Sequence, residues 1–319
     1  MTMIETLRTY NTQFGFVPKV VNEHLIKKNY RHVILCGMGG SHLPAGLLKT
    51  IKPGIDIYVH RDYDLPPFEK SFFENALLIA SSHSGNTAEV ISFYKKAKQL
   101  FDLPVLCIST GGELITLAQQ GNDPHIILPQ TDFVPRTALG ISTIALASVL
   151  KEREIYQNLS HVTVDVVAAE SHGRMLCEKL GDRTPVFYAS SVNLNLAYNW
   201  KIKFNETSKM HAFSNVFPES NHNELEAYEY AGPLSGVMPV ILRDSADDSR
   251  IQKRFDVFQG LMTEKGVEHI VVDISNPDAY RKVFQTIVLG DFFSAAVAEE
   301  RQVPQAEVPL IESFKKHLI

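Results

Sequence analysis

Short apolar runs that end in small or polar residues recur along the chain, and most are followed by apolar residues at helical spacing. Arg31–Cys36, Ile55–His60, Ala76–Ala80, Pro104–Ser109 and His125–Leu128 have the length and composition of buried strands. After the third of these, Ala88–Leu100 carries a helical pattern, and a second apolar helix is expected over about Thr137–Leu150. Strand alternates with helix, which predicts a parallel sheet flanked by helices. Residues up to about Asn29 read as a helical lead-in. The stretch Lys151–Gly181 is charged and helical in pattern, and a new alternation begins behind it. There, strands are expected at Thr184–Ser190, Val237–Leu242 and His269–Ile274, with helices over Leu194–Lys209, Ser249–Lys265, Tyr280–Glu300 and from Pro309 onward. The expected fold class is α/β, in two domains at residues 1–152 and 153–319, each a parallel sheet flanked by helices.

Composition narrows the function. A chain of 319 residues with 45% hydrophobic content buries a large core and accommodates two domains. The formal net charge of -5 comes from interspersed acids and bases, so no basic stripe points to a nucleic-acid partner. Cys36, Cys107 and Cys177 are far apart, odd in number and set among apolar residues, which predicts buried free thiols rather than disulfides or a metal site. A reducing, cytoplasmic location is the corresponding expectation. No basic segment leads into an apolar one at the start, and no run approaches the roughly 18 apolar residues of a membrane span, so neither export nor membrane insertion is expected.

Two strand-to-helix turns hold the candidate chemistry. Ser81-Ser82-His83-Ser84-Gly85-Asn86-Thr87 puts hydroxyls, a glycine and an amide between a strand and a helix. Helix N-termini offer free N–H groups and a favourable dipole to an anion, so Ser82, Ser84 and Thr87 suit a phosphate monoester. The same residue types also serve as plain helix caps. Gly37-Met38-Gly39-Gly40-Ser41 forms the second turn, where glycines admit a ligand close to the backbone and Ser41 adds a donor. It is not a dinucleotide fingerprint, because His42 stands where the third glycine would fall. Arg136 follows the loop Gln130–Pro135 at the start of the second apolar helix, a position that also fits a structural salt bridge.

These turns occur in order with Pro135-Arg136, Asn205-Glu206, Asn221-His222-Asn223-Glu224 and Ile311-Glu312-x-Phe314-Lys315. In that combination the sequence resembles the bifunctional phosphoglucose/phosphomannose isomerases, which are built from two sugar-isomerase (SIS) domains. The resemblance spans nearly the whole chain. It departs at His83, where the family commonly has tyrosine, and near the C-terminus, where an extra residue leaves Lys315 and Lys316 both eligible as the family's lysine. The resemblance implies a sugar phosphate held by Gly40, Ser41, Ser82, Ser84 and Thr87, with Glu206, Arg136, His222 and Lys315 around its C1–C2 end. A single carboxylate can move the proton between adjacent carbons, the role of Glu206. Arg136 would stabilise the enediolate, and an imidazole suits proton exchange at the ring oxygen, the role of His222. Lys315 would assist there or position a water. No metal or cofactor is implied. The working unit would be a homodimer with His222 delivered into the partner's site. Two other functions fit the phosphate turns: another SIS sugar-phosphate isomerase, or a non-catalytic sugar-phosphate sensor, although binding alone does not need Glu206, Arg136 and His222.

Overall fold

The computed structural model describes residues 1–26, 29–101, 103–230 and 236–317. In chain order the helices and strands are α1 (Met3–Arg8), β1 (Val20–Val21), β2 (His32–Gly37), α2 (Leu43–Ile51), β3 (Ile57–His60), α3 (Lys70–Glu74), β4 (Ala76–Ser81), α4 (Ala88–Phe101), β5 (Val105–Ser109), α5 (Gly112–Gln120), β6 (His125–Ile127), α6 (Leu139–Ser148) and α7 (Arg153–Leu159). They continue with α8 (Val166–Leu180), β7 (Thr184–Ser190), α9 (Leu194–Glu206), β8 (Phe213–Phe217), β9 (Val237–Arg243), α10 (Ser249–Glu264), β10 (Ile270–Asp273), α11 (Ala279–Glu300) and α12 (Pro309–Lys316). The chain forms two compact units, one of residues 11–163 and one of residues 1–10 with 164–319. The division lies beyond the boundary expected at 152/153, because α7 stays with the unit before it, and the first ten residues join the C-terminal unit.

In the N-terminal unit the sheet order is β1-β6-β5-β4-β2-β3. Strands β2 to β6 run parallel, and only the two-residue edge strand β1 is antiparallel. Ile34, Cys36, Leu78, Ala80, Val105 and Cys107 pack with Val90, Phe93 and Ala97 of α4 and Leu114 and Ala118 of α5. Their alternate neighbours Val33, Leu35, Leu77, Ile79 and Leu106 are equally buried. Both faces of the sheet are covered, which is why these strands read as continuous apolar runs. All three cysteines are free and buried.

The C-terminal unit has a four-stranded parallel sheet in the order β10-β9-β7-β8. Val186, Tyr188, Phe217 and Ile241 pack with Phe255, Phe258 and Met262 of α10 on one face. On the other, Phe187 meets Trp200 and Phe204 of α9 edge-on, and Phe293 of α11 packs on both of those rings. Strand β8 lies where no strand was expected. Helix α9 stops at Glu206 rather than Lys209, where the backbone turns left-handed with φ of 54°. Among the described residues no helix is long and apolar enough to cross a membrane.

Candidate active site

Strand order places the first turns together. From β2 the chain crosses to β3 on one side and then to β4 on the other, so the sheet's topological switch point lies between the C-terminal ends of β2 and β4. Open parallel sheets bind ligands at such a crevice. The Gly37–Ser41 turn leaves β2 there, and the Ser82–Thr87 turn leaves β4. They are bonded to each other: the His83 amide donates to Ser41 Oγ at 2.9 Å, and Ser81 Oγ donates to the Ser41 carbonyl at 3.1 Å.

The Ser82–Thr87 turn is braced from inside. Ser82 is buried, its Oγ accepts from the Gly85 amide at 3.0 Å and lies 2.8 Å from Thr87 Oγ1. That makes Ser82 a brace of the turn, whereas Ser84 is exposed and Thr87 half-buried at the first residue before α4. Gly85 has φ of 73°, and a Cβ there would lie 1.8 Å from the Gly111 carbonyl oxygen. Only glycine fits. Beneath it, Thr110 Oγ1 donates to the His83 carbonyl at 2.7 Å, and Asn86 Oδ1 accepts from the Glu113 amide at 3.0 Å. The Ser109-Thr110-Gly111-Gly112 segment thus supports the Ser82–Thr87 turn. Its own glycine pair and hydroxyls at a strand end were the available signal. Burial holds the His83 imidazole below its ordinary pKa and so favours its neutral form.

Arg136 is brought to the same place. A Cβ on Gly40 would meet the Pro135 carbonyl group at 2.8 Å and the Arg136 nitrogen at 3.1 Å, so the glycine lets the two loops touch backbone to backbone. Arg136 is buried. Its loop is fixed by a residue with no local sequence signal, Gln13, whose amide donates to the Thr137 carbonyl at 3.0 Å and accepts from the amides of Gly140 at 2.9 Å and Ile141 at 3.3 Å. A buried side chain from far along the chain therefore caps α6. Next to Ser41, His42 is buried and faces the charge of Arg61, and its pKa falls to about 4, burial being the larger cause.

Glu206, His222 and Lys315 belong to the C-terminal unit. Glu206 is the half-buried last residue of α9, and its carbonyl accepts from Lys209 Nζ. His222 ends a short 3-10 turn, Glu219–His222, behind β8 and is exposed. The segment around it is pinned. Asn215 Nδ2 of β8 donates to Glu224 Oε2 at 2.6 Å, the Asn223 amide donates to Glu219 Oε1 at 2.9 Å, and Arg254 donates to Asn221 Oδ1 at 3.3 Å. The Tyr188 and Tyr228 hydroxyls are hydrogen-bonded at 2.8 Å, and burial, with the nearby Glu224 charge as a smaller cause, holds the Tyr188 phenol above its ordinary pKa. Lys315 lies on the exposed helix α12 and pairs with Glu312 at 2.7 Å, both side chains more than half exposed. Among the described residues no three His, Cys, Asp or Glu side chains gather into a set able to hold a metal ion.

Residues 169–318 match the family described as the bacterial phospho-glucose isomerase C-terminal SIS domain. Solved structures share the fold at 14% identity: the C-terminal domain of glucosamine-fructose-6-phosphate aminotransferase from Francisella tularensis superposes with a TM-score of 0.64, covering 96% of each chain. Two parallel-sheet units, with hydroxyl-rich turns at a switch point, define a protein of the SIS class. The bifunctional phosphoglucose/phosphomannose isomerase of Thermoplasma volcanium is 32% identical over 297 residues, 91% of this chain and 92% of that one. Its counterpart from Caldicellulosiruptor bescii is 30% identical over 324 residues, covering 95% and 94%. The chain belongs to the bifunctional phosphoglucose/phosphomannose isomerase family. It is also 27% identical over 226 residues to the D-glucosamine-6-phosphate 4-epimerase of Sulfolobus acidocaldarius, over 70% of this chain and 72% of that one.

Proposed function

We propose that this chain interconverts glucose 6-phosphate, and mannose 6-phosphate, with fructose 6-phosphate by moving a proton between C1 and C2. Membership of the bifunctional isomerase family over about nine-tenths of the chain carries the reading. The phosphate is assigned to the hydroxyls of Ser41, Ser84 and Thr87 and the backbone of Gly40 and the α4 N-terminus, with Ser82 holding the turn in shape. Neutral donors at a helix start favour a dianion and still let it leave. Glu206 is assigned as the base that takes the proton from one carbon and returns it to the other. Arg136 is assigned to the enediolate charge. Its burial supports that role, since a permanent cation in a low-dielectric place acts strongly on charge that develops near it.

His222 is assigned to ring opening, and the exposed but pinned segment that carries it fits a side chain offered to a neighbouring molecule. The assembly in this reading is a homodimer, the histidine serving the partner's site. Lys315 is assigned an accessory role beside it.

A coupled assay tests the reading with purified protein, glucose 6-phosphate, mannose 6-phosphate and fructose 6-phosphate, and with glucosamine 6-phosphate as the comparison substrate. Turnover of the first three that survives exhaustive chelation is expected, because Arg136 and not a Lewis acid carries the charge in this scheme. Loss on chelation with recovery on adding a divalent ion would count against the scheme. Turnover of glucosamine 6-phosphate alone would move the chain to the epimerase reading.

A further inference from the structure

Behind Glu206, α9 is tied to α11 by a buried ion pair that the chemistry above does not use. Lys203 and Asp291 form it, with side-chain exposures of 0% and 1%. Lys203 Nζ also donates to the Ile287 carbonyl at 3.3 Å. The fully buried Tyr10 hydroxyl stands close enough for the Asp291 charge, after burial, to raise its pKa. The same two helices also meet through aromatic rings: Phe204 and Phe293 lie 4.8 Å apart edge-on, and Trp200 and Phe293 lie 5.9 Å apart.

In such an interior a buried pair adds little net stability, because the desolvation of both charges offsets their attraction, and apolar residues of similar volume serve as well. What an ion pair adds is direction. Sliding α9 by one residue along α11 moves Lys203 by about 1.5 Å and separates two charges that have no solvent to turn to. Glu206 sits one turn beyond Lys203, and the Thr207 amide bonds the Lys203 carbonyl at 2.7 Å. On the far side, Ser208 Oγ donates to the Ser294 carbonyl at 2.8 Å, and the Ser208 carbonyl accepts from Arg301 at 3.2 Å. The residue assigned as the base is thus bracketed by two attachments of its helix to α11.

We propose that Lys203 and Asp291 are positioning residues for Glu206, fixing the register of α9 on α11 and so the place of the carboxylate. This rests on the reading of Glu206 as the base. A displacement of about 1 Å at a reacting group can cost on the order of 100-fold in rate, so a loosened register acts on turnover more than on binding.

The test uses the full-length protein with Lys203→Met and Asp291→Leu combined, Glu206→Gln alone, and the near-isosteric Asp291→Asn. The double variant is expected to fold with a melting temperature close to wild type, to keep KM within about twofold and to lose at least about tenfold in kcat. With substrate deuterated at the carbon that loses the proton, its isotope effect on kcat should rise above the wild-type value, a response that a merely structural role would not produce. A double variant with wild-type kcat and isotope effect overturns the proposal. Should the double variant fail to fold, folded Asp291→Asn with unchanged kcat and isotope effect overturns it equally. Glu206→Gln separates the two readings: near-normal turnover there removes the base assignment itself, whereas a dead Glu206→Gln beside a fully active double variant removes only the positioning role.

Discussion

The hydroxyls of Ser84 and Thr87 stand where α4 begins, while Ser82 is turned inward as their support. Replacing Ser84 and Thr87 together by alanine should raise KM for every phosphorylated sugar by a similar factor, with a smaller effect on kcat, because the phosphate is common to all of them. Unchanged KM values would remove the assignment. Replacing Ser82 by alanine should instead lower stability, since Thr87 Oγ1 loses its hydroxyl partner and the buried Gly85 amide keeps only the Ser82 carbonyl as acceptor. A different residue beside the same turns sets an acid limit. His42 has a folded pKa of about 4 against an ordinary 6.5, so between those values the unfolded chain takes up a proton that the folded chain refuses. Its contribution to stability is complete above about pH 6.5 and is lost as pH falls toward 4, on the order of 2 kcal/mol between pH 7 and pH 5. Urea unfolding at those two pH values should show a smaller difference in His42→Gln than in wild type. An equal difference would place the acid sensitivity elsewhere.

At the scale of elements, α6 shows how a loop that carries an assigned charge is kept in place. Gln13 meets three backbone groups at its start. Gln13→Leu should lower stability by about 2 kcal/mol, from the lost cap and the buried groups left behind, and should lower kcat because Arg136 lies in the loop just before α6. Full stability in urea unfolding would show the cap to be redundant. This contact was not legible in the sequence, since a glutamine carries no pattern that names a partner more than a hundred residues away. The strands β2, β4, β5 and β7 were legible because burial on both faces leaves unbroken apolar runs. Strand β8 was not: it lies at the sheet edge, Ser214 and Asn215 interrupt its apolar residues, and Asn215 faces Glu224. The two strand-to-helix turns at the switch point could be read from glycines and hydroxyls at strand ends. Glu206 and His222 stood out only through family resemblance, because a carboxylate at a helix end and a histidine in a loop carry no pattern of their own.

At the scale of the molecule, the proposed dimer makes a specific demand on mixtures of dead variants. His222→Ala and Glu206→Gln, refolded together, should give heterodimers in which one site receives both intact groups, with about half the normal activity in each. Subunit exchange without recovered activity would show that His222 serves its own chain. The first ten residues make a different demand. Helix α1 buries Ile4 and Leu7, Tyr10 is buried behind it, and Arg8 bonds Glu170 of α8 through two nitrogens at 2.7 and 2.8 Å. Deleting residues 1–10 should weaken the C-terminal unit by roughly 1.5–3 kcal/mol for each apolar side chain lost, seen as faster amide exchange in α8 and α11 with little change in β2 to β6. Equal loosening of both units would contradict the division. The same arrangement orders events during synthesis. Residues 11–163 can fold as soon as they emerge from the ribosome, whereas residues 1–10, made before them, must wait undocked until α8 and α11 have followed, so a segment synthesised ahead of the N-terminal unit finds its place after it.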